Sequence, residues 1–314
     1  MQPQAKTVKP SSTINIVLND SKEKAIPDRK AAALKQTGAP FLKIEEFFNS
    51  IIGMEDLKTR VKEIYAQVLV SKKREEAGLK SNAQVLHMVF HGNPGTGKTT
   101  IARMVAALFR DVGVLDKGQF IEADRSDLVG EYIGHTAQKT KDLIHKALGG
   151  VLFIDEAYSL ARGGEKDFGK EAIDTLVKCM EDHHNECIII LAGYPDEMED
   201  FLTLNPGLAS RFPIQLSFKD YSAKELTQIA FGMIEEREYC LTKEAERKLF
   251  QHLALVYARR EENFSNARYV RNLIEEAIRK HAWRVISTPN PKKKTLMTLQ
   301  AEDFDVPLQE TALN

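Results

Sequence analysis

The run Gly92-Asn93-Pro94-Gly95-Thr96-Gly97-Lys98-Thr99 gathers the residue types that hold a polyphosphate. It fits the pattern G-x-x-x-x-G-K-[ST] in full. Glycines let backbone N–H groups close around phosphate oxygens. Lys98 is a cation for the β- and γ-phosphates, and the Thr99 hydroxyl a ligand for Mg²⁺. Asn93, Pro94, Gly95, Thr96 and Gly97 make the cradle, and Thr100 continues it into the next element. The competing reading is a glycine turn beside an unrelated lysine. The flanks argue against it: Val85–His91 reads as a buried strand entering the loop, and Thr100–Phe109 as a helix leaving it with apolar residues at helical spacing. A helix N-terminus behind the loop adds its positive dipole end. The sequence predicts a nucleoside triphosphate site.

Whether the triphosphate is hydrolysed turns on Val151-Leu152-Phe153-Ile154-Asp155-Glu156. Four apolar residues predict a buried parallel strand. The two carboxylates fall where it ends, and strand C-termini of an open α/β sheet line the ligand crevice. Asp155 suits the Mg²⁺ shell, directly or through water. Glu156 suits polarisation of an attacking water. A solvated strand end or a helix cap is the bland alternative. Phosphate transfer to a small acceptor is the competing chemistry.

These groups need a scaffold, and 314 residues suffice for about two domains. Lys+Arg 44 against Asp+Glu 45 leaves a net charge of -1, so no global field recruits nucleic acid or an acidic membrane. The basic runs Lys72-Lys73-Arg74 and Lys292-Lys293-Lys294 read as solvated surface. Cys179, Cys187 and Cys240 have no metal-ligand spacing and suit a reducing compartment. His183-His184 reads as a surface loop. Apolar runs are far shorter than a membrane span and the N-terminus carries no apolar signal region, so a cytoplasmic protein is expected.

The expected organisation has three parts. Residues 1–40 read as a flexible segment with one apolar piece, Ile14–Leu18. Residues 41–219 alternate strands and helices as in a parallel α/β sheet, with strands over Val85–His91, Gln119–Ala123, Val151–Asp155, Ile188–Ala192 and Pro213–Phe218. Residues 220–314 carry helical periodicity over Tyr221–Glu238, Thr242–Arg259 and Ser265–Val285, which predicts a small all-helical domain. One further short element is expected at Leu299–Phe304.

Four runs carry a family resemblance: Gly92–Thr100, Leu128–Ala137, Phe153–Gly169 and Leu204–Pro213. With them the chain resembles the AAA+ ATPases, and within these the CbxX/CfxQ group, from about Ile14 to Phe304. The piece Ile14–Leu18 resembles the sporulation branch of that group more than its Rubisco-activating branch. The resemblance implies a five-stranded parallel sheet, a helical lid, ATP and Mg²⁺ bound between them, and ring hexamers of identical subunits.

It also implies roles for further residues. Ile51-Ile52-Gly53 resembles the segment that wraps the adenine, where an ordinary helix entry is the alternative. Arg211 resembles the arginine finger that acts on the ATP of a neighbouring subunit, where a surface ion pair is the alternative. Arg268, in Asn266-Ala267-Arg268, resembles the sensor-2 arginine that reaches the γ-phosphate, with Arg271 as runner-up. The sensor-1 position departs from the family's usual Asn or Thr: either Tyr194 supplies a hydroxyl there, or Glu156 alone positions water. Tyr132, in Gly130-Glu131-Tyr132-Ile133-Gly134, resembles an aromatic pore loop, with packing onto its own core as the alternative. Arg162–Gly169 is a second segment expected to face the channel.

The implied function is Mg²⁺-dependent ATP hydrolysis that drives remodelling of a protein partner in spore formation, with a Rubisco-activating role as the alternative. Two readings of another class are a nucleic-acid motor and a non-catalytic nucleotide-gated scaffold. No nucleic-acid or membrane partner is expected.

Overall fold

In a computed structural model of the chain, the described residues are 39–49 (backbone only for 39–43), 51–80, 84–132, 134–162, 167–183, 186–260 and 264–304. Ile14–Leu18 lies outside them. The chain divides into two compact units, Met1–Glu45 and Glu46–Asn314. Helix α1, Ala39–Asn49, crosses that boundary. The second unit holds every other described element.

Its centre is a parallel sheet of β1 (Met88–Gly92), β2 (Phe120–Ala123), β3 (Val151–Ile154), β4 (Ile188–Gly193) and β5 (Ile214–Phe218), in the order β2-β3-β4-β1-β5. β3 and β4 are buried along their whole length. That burial on both faces is why they read as continuous apolar runs rather than alternating ones. β1 starts at Met88, later than the expected Val85, because there the ladder changes partner. The N–H of Ile189 donates to the His87 ring Nδ1 at 3.0 Å instead of to backbone.

α2 (Glu55–Glu76) precedes β1, and between the strands run α3 (Lys98–Asp111), α4 (Arg125–Leu128), α5 (His135–Ala147), α6 (Gly169–Asp182), α7 (Pro195–Leu204) and α8 (Pro206–Ala209). α3 buries Ile101, Ala102, Val105, Ala106, Leu108 and Phe109. Burying a large apolar side chain stabilises by about 1.5–3 kcal/mol, which fixes this helix behind the loop at its N-terminus.

Beyond β5 come α9 (Ala223–Glu235), α10 (Lys243–Ala258), α11 (Asn266–Ile286) and the short α12 (Lys293–Met297). α9 begins two residues later than its periodicity suggests, because Ser222 and Glu225 form a reciprocal cap: the Ser222 N–H donates to Glu225 Oε2 at 2.7 Å. Leu226, Ala230, Leu249, Leu253, Val270 and Ile274 close a separate core there. This region also carries one parallel strand pair, β6 (Cys240–Leu241) beside β7 (Thr298–Leu299), which helical periodicity does not announce. Two-residue strands are too short for a period-two pattern. No helix among the described residues is long and apolar enough to cross a membrane.

Candidate nucleotide-binding site

The loop between β1 and α3 owes its shape to two glycines in the left-handed region, Gly95 at φ 68° and Gly97 at φ 94°. A Cβ on Gly95 would also run into the backbone at Ser265 and Arg268, so the α11 end of the chain lies directly on the loop. The Thr96 hydroxyl donates to the Asn93 carbonyl at 2.7 Å and closes the turn. Lys98 opens α3 and folds back, its Nζ donating to the carbonyls of Gly92 at 2.6 Å and Asn93 at 3.0 Å.

The loop forms one wall of a cavity of about 580 Å³. Pro94 to Thr100 line it, with Asp155 and Glu156 beside them and Tyr194, Arg268 and Arg271 completing the polar end. Ile51, Ile52 and Met54 line its apolar end. Gly53 stands at the turn there, its Cα against the Glu225 side chain. A second hollow of about 720 Å³ shares Asp155 and Glu156 but has no phosphate-loop residue in its lining. The smaller cavity is therefore the one that joins cation, hydroxyl, acids and apolar pocket.

The electrostatics follow from that crowding. Burial pushes the Lys98 ammonium below its usual range; Asp155 and Glu156 pull it up, while Arg268 adds to the depression. Burial raises the Tyr194 phenol, with Glu156 and Asp155 acting the same way and Arg268 against. Lys98 and Tyr194 thus both feel the charges of Asp155, Glu156 and Arg268. An anion seated on the loop would relieve Lys98 directly. Glu156 is held in the left-handed region at φ 46°, ψ 44°, an uncommon conformation for this residue type. Such strain persists where the surroundings over-determine it, often at active sites.

Three sequence candidates lie away from this cavity. Arg211 pairs with Glu181 and donates to the Gly207 carbonyl, with 28% of its side chain exposed. Tyr132 is 65% exposed and meets the His135 ring edge-on at 5.5 Å. The alternative that it packs into its own core is therefore wrong. Asn93 takes a side-chain role, its Nδ2 donating to Asp220 at 3.0 and 3.2 Å. Of the segment Arg162–Gly169, residues 163–166 lie outside the described residues. Arg162 stacks on the Tyr158 ring at 4.6 Å, and Asp167 binds Arg125.

Met54 and, from α9, Ile229, Gly232 and Met233, with Glu236 just past its end, also line the cavity, and no sequence motif singles them out. Ile229, Gly232, Met233 and Glu236 fall on one face by their i, i+3, i+4, i+7 spacing, but the buried face of α9 has the same period, so spacing alone does not say which face meets a ligand. A Cβ on Gly232 meets nothing within 4 Å, so this face leaves room against the apolar end.

A phosphate loop after β1, two acids after β3 on the other side of β4, and a helical region folded onto the loop define an ATPase of the AAA class. The chain matches the ATPase family associated with various cellular activities (AAA) over residues 88–220 and the AAA lid domain over residues 222–313. It belongs to that family, binds nucleotide and hydrolyses ATP. Stage V sporulation protein K of Bacillus subtilis (strain 168) is 54% identical over 98% of this chain and 98% of its own. The chloroplastic ribulose bisphosphate carboxylase/oxygenase activase of Cyanidioschyzon merolae is 46% identical over 83% of this chain and 89% of its own. Protein CbbX of Cereibacter sphaeroides is 43% identical over 83% and 85%. Among solved structures, the FIGL-1 AAA domain in complex with ADP shares the fold at a TM-score of 0.56 and 20% identity, over 82% of this chain and 81% of that one.

Proposed function

We propose that this protein is a Mg²⁺-dependent ATPase that assembles into a ring of identical subunits, a hexamer, and remodels a protein partner during spore formation in the cytoplasm. Residues 41–219 act as the nucleotide-binding domain and 220–314 as its lid. Ile51 and Gly53 shape the adenine end, with Ile229 and Met233 opposite. Pro94 to Thr100 cradle the phosphates, Asn93 shapes the loop through its carbonyl and its bond to Asp220, and Lys98 neutralises the β- and γ-oxygens. Thr99 and Asp155 are oxygen ligands of the kind Mg²⁺ accepts, since this ion keeps waters and takes only one or two protein groups beside substrate phosphates. When bound, it supplies charge neutralisation between those phosphates. Glu156 polarises the attacking water, Arg268 meets the γ-phosphate, and Arg211 completes the site of a neighbouring subunit.

The observation that carries the remodelling step is the exposed Tyr132 ring on a short loop between Gly130 and Gly134. An exposed aromatic is a sequence-tolerant apolar grip for polypeptide, and Glu131 beside it disfavours a polyanion. The similarity to the sporulation protein spans nearly the whole chain, whereas that to the Rubisco activase spans 83%. This favours the sporulation reading.

The test is partner retention in sporulating cells. Glu156→Gln loaded with ATP should hold a protein partner that it releases without ATP, and the double variant Glu156→Gln/Tyr132→Ala should hold none. Equal retention by the double variant would remove Tyr132 from the grip.

A further inference from the structure

Three successive carbonyls of the phosphate loop accept hydrogen bonds from the helical region. Pro94 O accepts from Asn266 Nδ2 at 3.4 Å, Gly95 O from the Ala267 N–H at 3.2 Å, and Thr96 O from the Tyr221 hydroxyl at 3.2 Å. With these oxygens held outward, the loop's N–H groups are left for the phosphates. Asn266 is the centre of the contact. It is fully buried and adopts the left-handed backbone at φ 43°. Its Nδ2 also donates to Asp220 Oδ1 at 2.7 Å and to the Phe264 carbonyl at 2.8 Å, while its Oδ1 accepts from the Tyr221 N–H at 2.9 Å. The Asp220 carboxylate in turn accepts from Asn93 of the loop and lies 3.6 Å from the Arg260 guanidinium.

Asn266 is the first residue of α11, and Arg268 stands in the same turn, its N–H donating to Ser265 O at 2.9 Å. A helical turn is stiff, so anchoring its first residue on the loop fixes where the third can reach. Asparagine suits the position twice: it tolerates the left-handed backbone, and its amide offers donors and an acceptor at one point.

We propose that Asn266 is the positioning residue that sets Arg268 at the phosphate end of the cavity, with Asp220 fixing the orientation of the Asn266 amide. This rests on the reading of Arg268 as a γ-phosphate contact. A purely conformational role for position 266 is the alternative, and glycine separates the two, because it keeps the left-handed backbone and lacks the amide.

The experiment measures ATP and ADP affinity, with Mg²⁺, on the full chain. Only ATP carries the γ-phosphate, so loss of Arg268 placement lowers the ATP-over-ADP affinity ratio, whereas general loosening of the fold weakens both. Arg268→Ala should lower the ratio by about tenfold or more. Asn266→Gly should lower it similarly, and the double variant should fall no further than Arg268→Ala alone. Asp220→Ala should lower the ratio too, while Asp220→Asn, which keeps an acceptor, should retain most of it. If Arg268→Ala lowers the ratio and Asn266→Gly and Asp220→Ala stay within twofold of wild type, Asn266 is not the positioning residue. Additive losses in the double variant overturn it as well. A ratio unchanged in Arg268→Ala overturns the γ-phosphate reading, and the inference with it.

Discussion

Lys98 lies against Tyr194, its Nζ 5.9 Å from the centroid of the phenol ring. Tyr194 follows β4 and caps α7, and its ring stacks on Tyr158 at 5.8 Å between centroids. It therefore stands inside the nucleotide cavity at the position where the family resemblance leads one to expect Asn or Thr. Tyr194→Phe keeps both ring contacts and deletes the hydroxyl. If that hydroxyl orients the attacking water, kcat should fall about tenfold with KM within threefold of wild type. An unchanged kcat would leave Glu156 as the sole group on the water.

Lys98→Ala should abolish nucleotide binding. It removes the side-chain cation of the loop, and Lys98 already sits at the Gly92 and Asn93 carbonyls where phosphate oxygens compete for it. An ATP affinity within threefold of wild type, measured by calorimetry, would reject the assignment.

Arg211 should act in trans. Its guanidinium is partly exposed and held by Glu181, outside its own cavity. A surface ion pair is worth at most about 1 kcal/mol, whereas an arginine finger changes rate by roughly 10³ to 10⁵. Arg211→Ala and Lys98→Ala should each be nearly inactive, and mixing them should recover ATPase where an intact Lys98 meets a neighbour's intact Arg211. No recovery in demonstrably mixed rings, or an active Arg211→Ala, places the finger elsewhere.

Arg284 should protect the lid against loss of structure in a pH-dependent way. It donates to the buried Asp303 carboxylate from Nε at 2.9 Å and Nη2 at 2.7 Å. Burial alone would raise the Asp303 carboxyl, but the Arg284 bond and the Gln300 N–H outweigh it and hold it below 3.8. A pKa lowered on folding stabilises fully above the unfolded value and is lost as pH falls through the folded one. Arg284→Met should lower stability by about 3 kcal/mol at pH 7. The gap to wild type should narrow as pH drops below 3.8. A gap that is constant across pH, in denaturant titrations, would contradict this.

The legible parts of the site are those whose chemistry sits in one contiguous run. Gly92–Thr99 and Val151–Glu156 each carry strand, turn and functional group together, so pattern and context could be weighed in place. The α9 face Ile229, Gly232 and Met233 was not legible, because the buried residues Leu226, Ala230 and Ile234 share its helical spacing. Periodicity says that such faces exist, not which one meets a ligand. The Asn93–Asp220 and Asp220–Asn266 bonds join residues 127 and 46 positions apart, a separation no local pattern encodes. Tyr132 shows the limit at a single residue: core and surface readings fit the same five letters, and only its 65% exposure decides between them.

That exposure makes Tyr132→Ala the most direct test of the central claim, that ATP hydrolysis here drives a grip on polypeptide. The ring touches His135 and lies outside the nucleotide cavity. Truncating a buried aromatic costs about 3–5 kcal/mol, but an exposed one should leave the melting temperature nearly unchanged. Melting temperature, basal ATPase and ATPase stimulated by the partner protein are to be read on one preparation. The account predicts an unchanged melting temperature, basal turnover within a few-fold of wild type, and loss of stimulation. Full stimulation in Tyr132→Ala, or loss of basal ATPase together with the fold, would contradict it.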